Sequence, residues 1–196
     1  MGEDPESAID FGQPGSSAKH LRKALARFVT GVTIVTTRTA AGTFEGLTVN
    51  SFSPVSLDPP LVLWSLRNNA TSLNAFLEAE WFAVNVLGAA HHDLSQRFAV
   101  SSREKFVDFK CAFGLGGCPL IAESIARFEC RLERKVPGGD HVILIGWVER
   151  ATYREGEPLL FHDGAYCVPV PIEWDLSLVP ESPMLSGLTI EPHQFF

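Results

Sequence analysis

The sequence lacks the features that mark several common kinds of site. The four cysteines are Cys111, Cys118, Cys130 and Cys167, and no two of them have just two residues between them. The sequence therefore has no Cys-x-x-Cys pair of the kind found in zinc sites and redox dithiols. The six histidines are scattered. The glycines at 114–117 lack the spacing of a dinucleotide fingerprint. We therefore interpret the cysteines as inert thiols and expect any redox chemistry to be carried by a cofactor.

Positive charge and long apolar runs are also scarce. Lysine and arginine number 16 against 23 acidic residues, which gives a net charge of −7 at pH 7. That balance argues against a nucleic acid or an anionic membrane surface as the main partner. No stretch is long enough for a membrane helix, and the first residues are too acidic and polar for a signal peptide. These features predict a cytoplasmic protein with no membrane partner.

Short stretches rich in β-branched and aromatic residues recur along the chain and predict strands. They cover 32–38, 43–50, 61–66, 81–87, 126–133 and 142–148, with a further hairpin around 156. The stretch 142–148 is apolar on both faces, which predicts burial on both sides. Helices are predicted from Ser17 up to Thr30-Gly31, over 71–79 and over 90–100. The pattern indicates a mainly β fold, a β-barrel with short peripheral helices and antiparallel connections.

Composition divides the chain into three parts. Residues 1–16 are polar and predict a flexible N-terminal arm, and 17–167 form the predicted domain. Residues 168–196 contain five prolines among large apolar side chains. Disordered tails are usually poorer in such side chains, so we expect an extended C-terminal arm packed on its own domain or on a neighbouring subunit.

The stretch 47–62 is the most unusual in the chain. It begins as a strand, becomes polar and serine-rich, and ends on Asp58-Pro59-Pro60. Its prolines exclude helix, because each removes a backbone donor and biases the preceding residue towards extended geometry. We predict a strand, an irregular polar ledge and another strand. Such a ledge can hold a polar planar ligand against a sheet, and an ordinary Ser/Pro loop is an equal alternative on local grounds.

Five motifs occur in one order between about His20 and Tyr166 and together resemble a known family. They are the stretch 27–33 (RFVTGVT), the ledge ending 56–62 (SLDPPLV), 82–87 (FAVNVL), Gly139-Asp140-His141 and Phe161-His162-x-Gly-x-Tyr166. The chain resembles the flavin-reductase-like family of FMN-binding split barrels, the NAD(P)H:flavin oxidoreductase components of two-component monooxygenases. The resemblance implies a Greek-key antiparallel barrel of six strands and a homodimer with flavin near the subunit interface. It also implies FMN or FAD with NADH or NADPH, and a flavin-dependent monooxygenase that receives diffusible reduced flavin.

The resemblance also implies which residues form the site. The segment 47–52 would line the isoalloxazine, while His141 and Tyr166 would act as the catalytic residues by orienting the nicotinamide. Asn69 and Ser65 depart from the family pattern, which leaves FMN versus FAD open. The implied cofactor-binding residues are Thr30, Val32, Leu47, Thr48, Val49, Asn50, Ser51, Ser65, Leu66, Asn69, Ser72, Asn85, Arg97, Phe98, Ala99, Lys105 and Phe106.

The implied reaction is hydride transfer from nicotinamide C4 to flavin N5. It needs two rings stacked at about 3–3.5 Å and support for the developing anion, but no protein general base. Two alternatives stay open. One is a flavoprotein of the same fold that reduces or oxidises another bound substrate, such as a corrin. The other is a non-enzymatic flavin- or haem-binding protein.

Overall fold

The computed structural model describes residues 18–102, 104–122 and 124–170. The predicted N-terminal arm, 1–16, lies outside the described residues, as does all of the predicted C-terminal arm beyond residue 170. The first half of the chain forms α1 (Ala18–Leu25), β1 (Thr30–Gly31), β2 (Thr33–Arg38), β3 (Phe44–Val49), β4 (Ser53–Leu57), β5 (Pro60–Arg67), α2 (Leu73–Glu78) and β6 (Trp81–Val86). The second half forms α3 (His92–Ala99), β7 (Ala112–Phe113), β8 (Pro119–Leu120), β9 (Ala126–Gly138), β10 (His141–Tyr153), β11 (Leu160–His162) and β12 (Ala165–Cys167).

The main sheet contains seven strands in the order β3-β2-β6-β9-β10-β5-β4, and every neighbouring pair is antiparallel. A small separate sheet has the order β1-β11-β12, and β7 pairs with β8. Strands that are distant in sequence, such as β2 and β6, lie side by side, as in Greek-key connections. The prediction of a mainly β, antiparallel fold with short peripheral helices is confirmed.

The two edge strands of the main sheet, β3 and β4, follow each other in the chain. Only residues 50–52 separate them, so the Cα atoms of Val49 and Ser53 can lie at most about 14 Å apart. The opposite edges of the sheet are therefore neighbours, and the sheet must curl round on itself. No strand ladder joins β3 to β4 within the described residues. The result is a split barrel with a seam at residues 50–52.

The Ser51 side chain continues the β4–β5 ladder into this seam. Its hydroxyl accepts a hydrogen bond from the Ser65 backbone N–H at 3.0 Å and lies 3.2 Å from the Ser65 carbonyl, to which it donates. The last regular pair beside the seam is Ser53 with Leu63. Ser51 thus stands opposite Ser65 in the same register, with its side chain in the place of a backbone partner.

The core has two parts because successive residues of a strand point to opposite faces. Val35 packs inside the barrel with Trp64 and Phe82, whereas its neighbour Ile34 packs outside with Phe98, on the side covered by α3. The Trp64 ring meets that of Phe82 edge-on, with the centroids 6.0 Å apart. The α3 helix is thereby fixed against the outer face of β2 and β3.

Three predictions differ from the structure. The ledge was expected to be irregular, but Ser53–Leu57 is the edge strand β4, where Pro54 is tolerated because an edge strand leaves backbone donors unpaired. The expectation of burial on both faces over 142–148 is wrong, because only Leu144 and Gly146 are fully buried there. The helix predicted from Ser17 to Thr30-Gly31 is shorter, Ala18–Leu25, and none of its residues is buried.

We expect Gly146→Ala to destabilise the fold. An added Cβ would collide with the ring of the buried Phe82, and overpacking of this kind costs about 1–3 kcal/mol of unfolding free energy. Gly31→Ala is the matched control, because a Cβ there meets nothing within 4 Å. Urea denaturation of the two variants measures the difference, and equal unfolding midpoints would contradict this account of the core.

Candidate functional site

A cavity of about 600 Å³ opens at the seam of the barrel. Its walls come from the end of β3 with residues 50 and 51 of the link, from the end of β5 with the turn that follows it, and from the end of α3. The volume lies within the range of about 300–1,000 Å³ usual for small-molecule sites. The lining residues are Leu47, Thr48, Val49, Asn50, Ser51, Ser65, Leu66, Arg67, Asn69, Ala70, Thr71, Ser72, Phe98, Ala99, Val100, Ser101, Lys105 and His141.

Thirteen of the nineteen predicted site residues line this cavity. They are Leu47, Thr48, Val49, Asn50, Ser51, Ser65, Leu66, Asn69, Ser72, Phe98, Ala99, Lys105 and His141. The stretch 47–51 is continuous along one wall, as expected from the ledge. The fold brings Leu47 and His141, 94 positions apart in sequence, to one cavity, so the cavity exists only in the curled sheet.

The hydroxyl groups on the 47–51 wall are already engaged with the protein. Thr48 donates to the Ser95 carbonyl of α3 at 2.6 Å, and Ser51 is bound to both backbone groups of Ser65. A hydroxyl has one proton to donate and two lone pairs. Thr48 and Ser51 can therefore offer only acceptor capacity to a ligand, whereas the exposed Asn50 amide can offer both donors and an acceptor.

The opposite wall is the tight turn between β5 and α2. The Ala70 N–H donates to the Arg67 carbonyl at 3.0 Å, and the Leu73 N–H donates to the Ala70 carbonyl at 3.1 Å. Ser72 is 6 % exposed, and its side chain makes no capping hydrogen bond to α2. These turns present small polar side chains towards the cavity, with the Arg67 guanidinium at its rim.

Lys105 contributes a partly desolvated positive charge. Its ammonium donates to the carbonyls of Gly46 at 3.0 Å and Phe98 at 3.1 Å. Burial lowers its pKa, although the nearby Glu45 carboxylate acts in the opposite direction. Lys105 also lines a second cavity of about 350 Å³, which is bordered by Phe44 and other residues. An anion beside this ammonium would favour its charged form.

His141 is held at the rim by its sequence neighbour. Its Nδ1 lies 2.7 Å from an Asp140 carboxylate oxygen, and this hydrogen bond is the main reason that the pKa of Asp140 is lowered. An ionised carboxylate can only accept, so Nδ1 carries the proton and Nε2 is left for a ligand. The Asn68 side chain fixes the same turn by donating to the Gly139 carbonyl at 3.1 Å.

Six predicted site residues do not line this cavity: Thr30, Val32, Asn85, Arg97, Phe106 and Tyr166. Asn85 is fully buried in the fold. Its amide donates to the Ile34 carbonyl at 3.0 Å and accepts from the Ile121 N–H at 2.9 Å, so it ties the 121 segment to the sheet. Its place in a family motif is explained by this internal linkage.

Three of the other residues hold the segments around α3. Arg97 donates to the carbonyls of Lys105 at 2.9 Å and Val107 at 2.6 Å, which fixes the loop that carries Lys105. Phe106 packs edge-on against Phe98, with ring centroids 5.1 Å apart. The Tyr166 hydroxyl lies 2.8 Å from the Ser95 hydroxyl. These residues contact the cavity wall from behind.

The remaining two, Thr30 and Val32, lie in and directly after strand β1. Val32 is a core residue, and its N–H donates to the Leu159 carbonyl at 3.1 Å. Thr30 pairs with Phe161 in the small sheet, and its hydroxyl is buried without a hydrogen-bond partner among the described residues. This arrangement does not test whether Thr30 or Val32 contacts a ligand. Their cofactor-binding role stays a prediction.

Five cavity residues were not among the predicted set. They are Arg67, Ala70, Thr71, Val100 and Ser101. Each directly follows or lies between predicted residues in sequence. Continuity of the segments 65–72 and 98–101 is therefore the signal that would have included them.

The described residues contain no helix long and apolar enough to cross a membrane, and no cluster of three His, Cys, Asp or Glu side chains placed to hold a metal. A curled antiparallel sheet with a polar cavity at its seam defines a split-barrel ligand-binding protein. The chain matches the sequence profile described as "Flavin reductase like domain" over residues 25–169. It therefore belongs to the flavin-reductase-like family, as its motifs indicated.

Named relatives and solved structures agree with this membership. The chain is 46% identical over 156 residues to the FMN reductase (NADH) SmoA of Agrobacterium fabrum, with 80% of this chain and 88% of that protein covered. It is 39% identical to the reductase component of the flavin-dependent trigonelline monooxygenase of Acinetobacter baylyi, covering 81% of this chain but only 51% of that relative. The structure of a Streptomyces globisporus NADH:FAD oxidoreductase, solved with NAD and FAD fragments, superposes with a TM-score of 0.74 at 37% identity, covering 78% of this chain and 93% of that one.

We expect Ser51→Ala to weaken closure of the barrel. The substitution removes both hydrogen bonds to Ser65 and leaves a half-buried N–H and carbonyl without this partner, which costs about 1–2 kcal/mol of unfolding free energy. Ser53→Ala is the control, because that exposed hydroxyl bonds only to the adjacent Pro54 carbonyl. Chemical denaturation measures both variants. Similar midpoints for the two would show that Ser51 does not hold the seam.

Proposed function

We propose that this chain is an NAD(P)H:flavin oxidoreductase that reduces FMN or FAD and supplies the reduced flavin to a partner monooxygenase. The cavity at the seam carries the proposal, because it combines a continuous wall at 47–51 that bears polar groups with the partly buried ammonium of Lys105. The family membership and the relatives named as flavin reductases support the same activity.

The residues present fit a flavin. The wall at 47–51 offers acceptors from Thr48 and Ser51 and both donors and an acceptor from Asn50, which suits a ring edge that carries both kinds of group. Arg67 and Lys105 both line the cavity and supply positive charge that can neutralise a phosphate. When bound, the flavin supplies the hydride-accepting chemistry.

The protein's own contribution is placement. His141, oriented by Asp140, would hydrogen-bond the carboxamide of the nicotinamide through Nε2 and hold its ring against the cavity mouth. Backbone N–H groups and the Asn50 amide along 47–51 would stabilise negative charge at the ring edge. No residue on this wall needs to take up a proton for the reaction, so the protein acts as a binding and orienting surface.

We further propose that the protein acts as a homodimer in the cytoplasm. Leu25 and Phe28, at the end of α1, are 62% and 75% exposed, and the turn that holds them has no core of its own. Leu57 of the edge strand β4 is 71% exposed. Exposed apolar side chains on a helix end and on an unpaired edge strand are the usual material of a self-complementary interface.

The activity test is NADH oxidation with increasing free FMN or FAD. A rate that rises with added flavin supports a reductase of diffusible flavin. Tightly bound flavin that turns over only with another substrate would support a different flavoprotein, and no turnover would refute the proposal.

We expect His141→Ala to lower turnover about 10–100-fold while the Kd for flavin is kept, because orientation and not flavin binding is lost. His20→Ala, on α1, is the control; an unchanged rate in His141→Ala would exclude the orienting role.

Sedimentation velocity tests the homodimer. We expect the native protein to sediment as a dimer and the double variant Leu25→Glu/Phe28→Glu as a monomer, because two buried carboxylates would be unpaired at the interface. Lys23→Glu changes the charge of the same helix on its other side and is the control. A native monomer at micromolar concentration would rule the dimer out.

A further inference from the structure

Ser95 of α3 links Thr48 of the cavity wall to Tyr166 of β12. Ser95 is fully buried, and its backbone carbonyl and its side-chain hydroxyl bond to different parts of the molecule. Its backbone carbonyl accepts the Thr48 hydroxyl at 2.6 Å, and its side-chain hydroxyl lies 2.8 Å from that of Tyr166. The chain of contacts thus runs from the cavity wall, through α3, to β12.

The contact with Ser95 decides what Thr48 can do in the cavity. Its proton is directed away from the cavity towards α3, and its lone pairs are what remain for a ligand. If α3 moved away from β3, the Thr48 hydroxyl would be free to rotate and could present either a donor or an acceptor. The position of α3 therefore selects the hydrogen-bonding character of the Thr48 hydroxyl.

Tyr166 is placed to fix α3. It lies on β12, in the small sheet that is not part of the barrel, and it does not line the cavity. Its ring packs edge-on against Phe161 at 5.6 Å and against His92 of α3 at 6.0 Å between centroids. These contacts hold the α3 segment that carries Ser95.

We propose that Ser95 and Tyr166 are positioning residues for flavin binding: Tyr166 holds Ser95, and Ser95 keeps the Thr48 hydroxyl as an acceptor towards the ligand. The inference rests on the proposed function and deepens it. It gives Tyr166 an indirect role in place of the nicotinamide contact that the family resemblance implied. The three residues act as one unit, so their effects on binding are coupled.

FMN titration of the apoprotein, followed by quenching of flavin fluorescence, tests the proposal. Tyr166→Phe removes one hydroxyl and nothing that touches the cavity, and we expect the Kd for FMN to rise about 3–10-fold, the value of one neutral hydrogen bond. Ser95→Ala should raise the Kd by a similar factor. Tyr153→Phe, on a side chain that is 90% exposed, is the matched control and should leave the Kd unchanged.

A double-mutant cycle of Thr48 and Tyr166 distinguishes a positioning role from a general loss of stability. Thr48→Val removes the hydroxyl on which the other two residues act, so Tyr166→Phe should add less than a twofold change in Kd in that background. The Thr48→Ser variant keeps the hydroxyl. It should therefore have the native Kd for FMN and the same sensitivity to Tyr166→Phe as the native protein. Full multiplication of the Tyr166→Phe and Thr48→Val effects would mean independent roles and would overturn the proposal.

Two other results would also overturn it, and each points to a different error. An unchanged Kd for FMN in Tyr166→Phe, with a raised KM for NADH, would mean that Tyr166 contacts the nicotinamide directly. Failure of the native protein both to bind FMN and to oxidise NADH would remove the proposed function itself. The positioning role is supported if the native protein binds FMN, Tyr166→Phe raises the Kd, and that effect is lost in the Thr48→Val background.

Discussion

The short link at residues 50–52 is the constraint on which the site depends. Because it joins the two edge strands of a seven-stranded sheet, the sheet has to curl, and its ends meet at one seam. A fully closed barrel of this size is filled by side chains, whereas an interrupted ladder leaves room. The cavity is located where the ladder stops, and two of the three residues that impose closure, Asn50 and Ser51, form part of its wall. Closure and ligand binding are therefore properties of one segment.

Several polar side chains around the cavity are hydrogen-bonded to the protein before any ligand arrives. Ser51 replaces a missing ladder pair, Thr48 is bound to α3, and Lys105 is shared between two carbonyls. Such commitments cost the site some of its donors, but they fix the groups that remain. A preorganised wall loses little conformational entropy when a ligand binds, so fewer contacts suffice for the same affinity.

The sequence alone predicts most of the strands, because β-branched and aromatic residues recur at short intervals, and it locates the 47–51 wall. It does not predict β4, since Pro54 and the serines around it resemble a loop until the strand is known to be at an edge. Asn50 and Asn85 show the second limit. Both follow apolar alternation, yet one is exposed in the cavity and the other is sealed between Ile34 and Ile121. Only tertiary structure distinguishes a polar group for a ligand from one for the backbone.

The net charge of −7 does not oppose an anionic cofactor at this site. At physiological ionic strength exposed charges are screened over about 8 Å, so acidic residues on distant surfaces contribute little at the cavity. Lys105 is different, because its ammonium lies in the wall and is partly desolvated, as its lowered pKa reports. An anion beside this ammonium favours its charged form, so the two charges stabilise each other. Local burial of one lysine therefore outweighs the overall acidity of the chain in deciding what the cavity can bind.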